Sequence, residues 1–271
     1  MLKSRLNFFS ELAMILHTHS TGSGEPLVLI HGLFGSYENL AGVARALSDQ
    51  WQIISIDLPN HGQSPHAEQM DYPGMVADLA ATLDSLELTK VAMLGHSLGG
   101  KLAMAFALAY PERVTKLIVA DIAPVNYPRS HQNVFAGLNA VKLTEISSRG
   151  DADKQLAEHI SEVGVRQFLL KSLHKSAEGF NWRFNLPALE QSYDQLLKAP
   201  QSDSKYSGPV LFIKGAESDY ILPQHRPQIL SYFPAAEAKI INGTGHWLHA
   251  EKPAAFARLV RDFLLSQHTK K

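Results

Sequence analysis

Cysteine is absent from the 271-residue chain. Disulfides, thiolate–metal centres and a cysteine nucleophile are therefore excluded, while the compartment is left open by that absence alone. A one-signed charge balance is lacking too. Lys and Arg number 25 against 26 Asp and Glu, giving a formal net charge of −1 without a long basic run, so no nucleic-acid partner is expected. No apolar stretch reaches the roughly 18 residues of a membrane span, and stable membrane insertion is not expected. Lys3 and Arg5 ahead of Leu6, Phe8 and Phe9 carry a weak secretory pattern, but Asn7, Ser10, Glu11 and His17 interrupt it and no small-residue cleavage site follows. The expectation is a cytoplasmic protein whose residues 1–13 form an N-terminal extension detached from the pattern that begins near Met14. Metal motifs are also missing: there is no H-E-x-x-H, no cysteine pair and no acidic loop, so the 13 histidines imply no metal and no other cofactor.

What is present is an apolar content of 45%, enough for a substantial core, arranged as short apolar runs that alternate with helical patterns. Residues 14–19, 26–30, 52–56, 91–94, 116–120, 209–213 and 238–241 read as strands; 37–47, 71–86, 223–232 and 253–265 read as helices. Such alternation predicts an α/β architecture, a mostly parallel sheet with helices on both faces. Over 125–206 the rhythm changes to helical pieces at 134–141, 154–159, 163–173 and 189–197, with no strand expected. The predicted organisation is a core of residues 14–124 and 207–268 with 125–206 inserted as a helical cap. Parallel sheets bind ligands at the carboxyl ends of their strands. His31, Asp57, Ser97, Asp121 and the 215–219 loop each follow an apolar run, so they are expected on one rim beneath the cap.

Gly95-His96-Ser97-Leu98-Gly99 fits G-x-S-x-G between an apolar run and an alanine-rich helix. A turn this tight strains the serine backbone, and strand and helix pass so closely that Cβ atoms two residues either side would collide. The serine hydroxyl then stands above the strand end, beside the N-terminal N–H groups of the helix. Ser97 is the candidate nucleophile. A serine hydroxyl needs a base in reach, and that base needs an orienting group. His246, after Gly243 and Gly245 on a late loop, is the candidate base; His249 is the competitor.

These motifs, together with His31-Gly32-Leu33-Phe34-Gly35, Asn60-His61-Gly62-x-Ser64 and Gly245-His246-Trp247-x-His249-Ala250-Glu251-Lys252-Pro253, resemble the α/β-hydrolase superfamily. Asp121-Ile122-Ala123-Pro124-Val125, Gln167-Phe168-Leu169-Leu170-Lys171-Ser172 and Trp182-Arg183-Phe184-Asn185 narrow the resemblance to the YbfF-type esterases, from about residue 14 to the end. The resemblance implies an eight-stranded sheet, a cap inserted after strand six, and a serine hydrolase. The substrate would be a small-molecule carboxylic ester or an acyl-CoA-like thioester, cleaved through an acyl-enzyme. A lyase or carbon–carbon bond hydrolase on the same scaffold is the alternative, and it would be favoured by cap arginines (Arg129, Arg149, Arg166 and Arg183) aimed at a dicarboxylate. The oligomeric state is not specified. The family's acid usually stands third after a glycine following strand seven; here that register, Gly215-Ala216-Glu217-Ser218, holds a serine. Asp121 is the preferred acid, with Asp219 the alternative and Asp57 a further carboxylate. By resemblance, the backbone N–H groups of Leu33 and Leu98 are the oxyanion donors. His31, Phe34, His96, Trp182 and Trp247 are the candidate pocket residues, His31 doubling as a loop organiser and Trp182 as a cap anchor.

Overall fold

The computed structural model describes residues 13–177 and 179–266; apart from Ala13, the expected extension at 1–13 lies outside the described residues. In chain order the strands are β1 (Thr18–Thr21), β2 (Glu25–Ile30), β3 (Trp51–Ile56), β4 (Val91–His96), β5 (Val114–Ala120), β6 (Leu173–Ser176), β7 (Gly179–Trp182), β8 (Val210–Gly215) and β9 (Ala236–Ile241). The main sheet runs β1-β3-β2-β4-β5-β8-β9, parallel throughout except for β1. Helices α1 (Ala41–Leu47), α2 (Tyr72–Ser85) and α3 (Leu98–Ala109) precede a second group, α4 (Gln132–Ala140), α5 (Arg149–Ala157), α6 (Val163–Leu170) and α7 (Leu186–Leu196). The chain closes with α8 (Arg226–Tyr232), α9 (Leu248–Glu251) and α10 (Pro253–Leu265).

The central strands are buried on both faces, which is why they read as continuous apolar runs. On one face Val28, Ile30, Met93, Leu117 and Val119 pack with Leu79, Leu83, Leu102 and Phe106 of α2 and α3. On the other, Leu27, Leu29, Leu94 and Ile118 pack with Val43 and Leu47 of α1 and Phe256 and Val260 of α10. Among the described residues no helix is long and apolar enough to cross a membrane.

Four expectations are corrected. Seven strands, not eight, form the main sheet among the described residues. The stretch read as a strand from residue 14 instead has its backbone amides taken by distant side chains. Met14 N–H donates to Asp78 Oδ1 (2.8 Å), Leu16 N–H to Thr82 Oγ1 (2.9 Å) and His17 N–H to Ser64 Oγ (2.9 Å). The ladder with β3 therefore opens only at Thr18. The segment between β5 and β8 is not purely helical either, because β6 and β7 form an antiparallel hairpin. The helix expected to Leu173 stops at Leu170. Ser172 there donates its hydroxyl to Phe34 O (2.8 Å) and accepts from Arg183 N–H (2.8 Å), pinning the hairpin's open end to the core.

Candidate active site

The elbow is built by contacts that exclude side chains. A Cβ on Gly95 would stand 2.2 Å from Gly99 O, and one on Gly99 would stand 2.3 Å from Ile30 O. Ser97 sits between them at φ +53°, ψ −120°, a left-handed strain that a non-glycine residue keeps only when its surroundings impose it. Here its N–H donates to Ala120 O (3.0 Å) and its carbonyl accepts from Lys101 N–H (3.0 Å). The Ser97 hydroxyl has no hydrogen bond among the described residues, and the residue lines a cavity of about 280 Å³. Leu33 and Leu98 line the same cavity. Leu98 opens α3, so its N–H has no intrahelical acceptor.

His246 lines this cavity as well, and its Nδ1 lies 2.8 Å from Asp121 Oδ2. Asp121 is fully buried at the end of β5. Its Oδ1 accepts from Gly215 N–H (3.1 Å), and its Oδ2 also accepts from the Ser218 hydroxyl. The carboxylate can only accept, so Nδ1 carries the proton and Nε2 is left as the basic nitrogen. Tyr220 stacks on the imidazole with ring centroids 4.0 Å apart. His96 Nε2–H donates to the His246 carbonyl (2.8 Å). Burial holds His96 well below the ordinary histidine range, neutral and suited to that bond.

Asp219 is exposed and makes no hydrogen bond or ion pair among the described residues, whereas Ser218 in the expected acid register holds Asp121. The alternative acid is thus not brought to the imidazole. Asp57 is buried away from it, accepting from Tyr37 N–H (2.7 Å), Gln63 N–H (2.9 Å) and His17 Nδ1 (2.9 Å). His249 is buried against His96, ring centroids 4.5 Å apart, and burial pushes it down to about 4.

Of the candidate pocket residues, Phe34, His96 and Trp247 line the cavity; His31 and Trp182 do not. His31 donates from Nδ1 to Gly32 O (2.8 Å) and accepts the Leu58 N–H at Nε2 (3.1 Å). His61 reciprocates, donating to Pro59 O (2.8 Å) and accepting the Phe34 N–H (3.1 Å). The two rings cross-brace the loops after β2 and β3, and burial pushes His31 down to about 4 and His61 to about 3. That bracket holds Phe34 at φ +63° beside the Leu33 amide. Trp182 is turned away by the hairpin. It stacks on Phe184 (centroids 5.4 Å) in a separate open groove with Leu138 and Leu143.

The rest of the cavity wall comes from α4, α6 and α7 and their flanks: Val134, Ile160, Val165, Phe168 and Leu196 on the apolar side, His131, Asn133 and Tyr193 on the polar side. Tyr220, Tyr127, His131, Tyr193 and Lys101 carried no spacing signal, since a stacked ring or a buried amine is defined only by three-dimensional neighbours. Ser218 did carry one, in the family's acid register. None of the four cap arginines lines the cavity. Arg129 pairs with Asp194, Arg166 with Asp153 and Arg183 with Glu38, and Arg149 donates to Leu173 O.

Three comparisons bear on this arrangement. Residues 27–259 match the Alpha/beta hydrolase family. The chain is 42% identical over 264 residues to Esterase YbfF of Escherichia coli (strain K12), covering 96% of this chain and 99% of that protein. It is 40% identical over 246 residues to the sn-1-specific diacylglycerol lipase ABHD11 of Mus musculus, covering 88% and 80% respectively. A solved structure described as a marine microorganism esterase superposes with a TM-score of 0.90 at 38% identity, covering 93% of this chain and all of the other.

Proposed function

The chain belongs to the Alpha/beta hydrolase family, and from that premise we propose that it is an esterase that cleaves carboxylic esters through an acyl-enzyme on Ser97. Likeness to proteins named as esterases and a lipase supports ester hydrolysis. The observation that carries the finer reading is the His246–Asp121 bond of 2.8 Å on the cavity that Ser97 also lines. In this reading Nε2 of His246 takes the Ser97 proton as Oγ attacks the ester carbonyl, and the imidazolium is stabilised by buried Asp121. The oxyanion meets the Leu33 and Leu98 amides, a type of contact whose removal costs about 10²–10³ in kcat elsewhere. His246 then protonates the departing alcohol. Water, deprotonated by the same nitrogen, releases the acid and regenerates Ser97. The apolar wall receives the acyl chain, and a thioester would follow the same steps with a thiol leaving.

The test is hydrolysis of a chain-length series of p-nitrophenyl esters and acyl-CoAs by wild type, Ser97→Ala, Asp121→Asn and Asp219→Asn, with fluorophosphonate labelling alongside. Ser97→Ala should lose labelling, and both it and Asp121→Asn should lose about 10⁴-fold in turnover. Asp219→Asn should match wild type. Turnover retained by Ser97→Ala overturns the nucleophile, and loss confined to Asp219→Asn overturns the acid.

A further inference from the structure

Lys101 takes no part in that chemistry, yet its side chain is almost completely buried, 2% exposed. It lies one helical turn after the nucleophile, its backbone N–H bonded to Ser97 O. Its ammonium donates to Leu197 O (2.8 Å) and Lys198 O (2.7 Å) at the end of α7. Leu197 O, the C-cap carbonyl of α7, has no intrahelical donor left and carries the negative end of the helix dipole; it also accepts from Tyr127 N–H (3.0 Å). The Tyr127 ring centroid is 4.8 Å from Nζ, and that of Tyr72 is 6.0 Å away. Among the described residues no carboxylate forms an ion pair with it. A buried ammonium without such a partner is costly, and the groups that offset the cost here belong to α7 and to two flanking rings.

Other bonds tie α7 and its flanks to segments outside the nucleophile helix: Asn185 N–H to Asn60 O, Met70 N–H to Ser192 Oγ, and Tyr72 Oη–H, at the start of α2, to Leu196 O. Lys101 reaches α7 from the nucleophile's own helix. Lys101, Leu196, Leu197 and Tyr127 also line the cavity, so the reach of this side chain spans the gap between α3 and the last turn of α7. We propose that Lys101 is a positioning residue that registers the end of α7 against the nucleophile helix and so sets which acyl lengths the cavity accepts. The acyl-length part rests on the esterase reading above; the registration itself does not.

The experiment compares wild type with Lys101→Met, which keeps the apolar stem but donates nothing, and Lys101→Arg, which keeps charge and donors. Amide exchange by mass spectrometry is followed over residues 190–200, with β4 and β5 as internal reference. In Lys101→Met, exchange over 190–200 should accelerate at least about tenfold while the reference is unchanged. The octanoyl-to-butyryl ratio of kcat/KM should move at least about fivefold toward octanoyl, chiefly through KM. Lys101→Arg should stay near wild type in both. Unchanged exchange over 190–200, or equal acceleration in β4 and β5, overturns the registration; an unmoved ratio overturns the link to acyl length. If exchange accelerates locally while wild type cleaves no ester, the esterase reading fails and the registration stands. Should Lys101→Met not fold, Lys101→Gln is measured instead: an intermediate shift in both readouts supports the proposal, and wild-type values overturn it.

Discussion

At the scale of single residues, the site is a chain of groups each held by the next. Asp121 is shared between Gly215 N–H, the Ser218 hydroxyl and His246. Removing one donor leaves the buried carboxylate less firmly held, and the imidazole it orients less well placed. Ser218→Ala should therefore lower kcat/KM at pH 7 by about tenfold, near the value of one charged hydrogen bond. A kcat/KM that stays at the wild-type value shows that Ser218 does not hold the pair in place. Ser97 and His246 were legible as candidates because their geometry demands glycines at fixed spacing. The choice between Asp121 and Asp219 was not, because the register in which the family keeps its acid here holds Ser218, and only the folded chain shows that this serine and Asp121 meet.

Elements were legible wherever a strand is buried on both faces, as in β2, β4, β5 and β8, because burial leaves a continuous apolar run. Residues 14–17 misled because Asp78, Thr82 and Ser64 supply hydrogen bonds that a neighbouring strand would otherwise supply. The hairpin of β6 and β7 was missed because only one residue of each strand is buried, Leu173 and Phe180, so no apolar run announces it. The glycines of α1 and α3 make opposite predictions. A Cβ on Gly42 in α1 meets nothing within 4 Å, so Gly42→Ala should stabilise the protein by about 0.5–1 kcal/mol. A Cβ on Gly99 in α3 meets backbone carbonyls that cannot move aside, so Gly99→Ala should cost about 1–3 kcal/mol and most of the esterase activity. Chemical denaturation of both variants checks this; equal midpoints would contradict the elbow's packing.

For the whole molecule, buried histidines govern the response to acid. Burial pushes His31, His131 and His249 down to about 4 and His61 to about 3. Below pH 6.5 the unfolded chain takes up protons at these positions that the folded chain refuses, so stability falls as pH drops from 6.5 toward 4. Thermal midpoints should fall by at least about 5 °C between pH 6.5 and 5; a midpoint level over that range would refute it. The pairing of β5 with β8 has a consequence for biosynthesis. These neighbours are separated in sequence by the whole segment from Asp121 to Pro209, and the imidazole that Asp121 holds comes later still. A ribosome adding roughly 5–20 residues per second exposes the serine elbow well before His246 exists. Under the mechanism proposed above, the nascent chain thus carries an inert hydroxyl, and ester hydrolysis begins only once the last third of the polypeptide has been made.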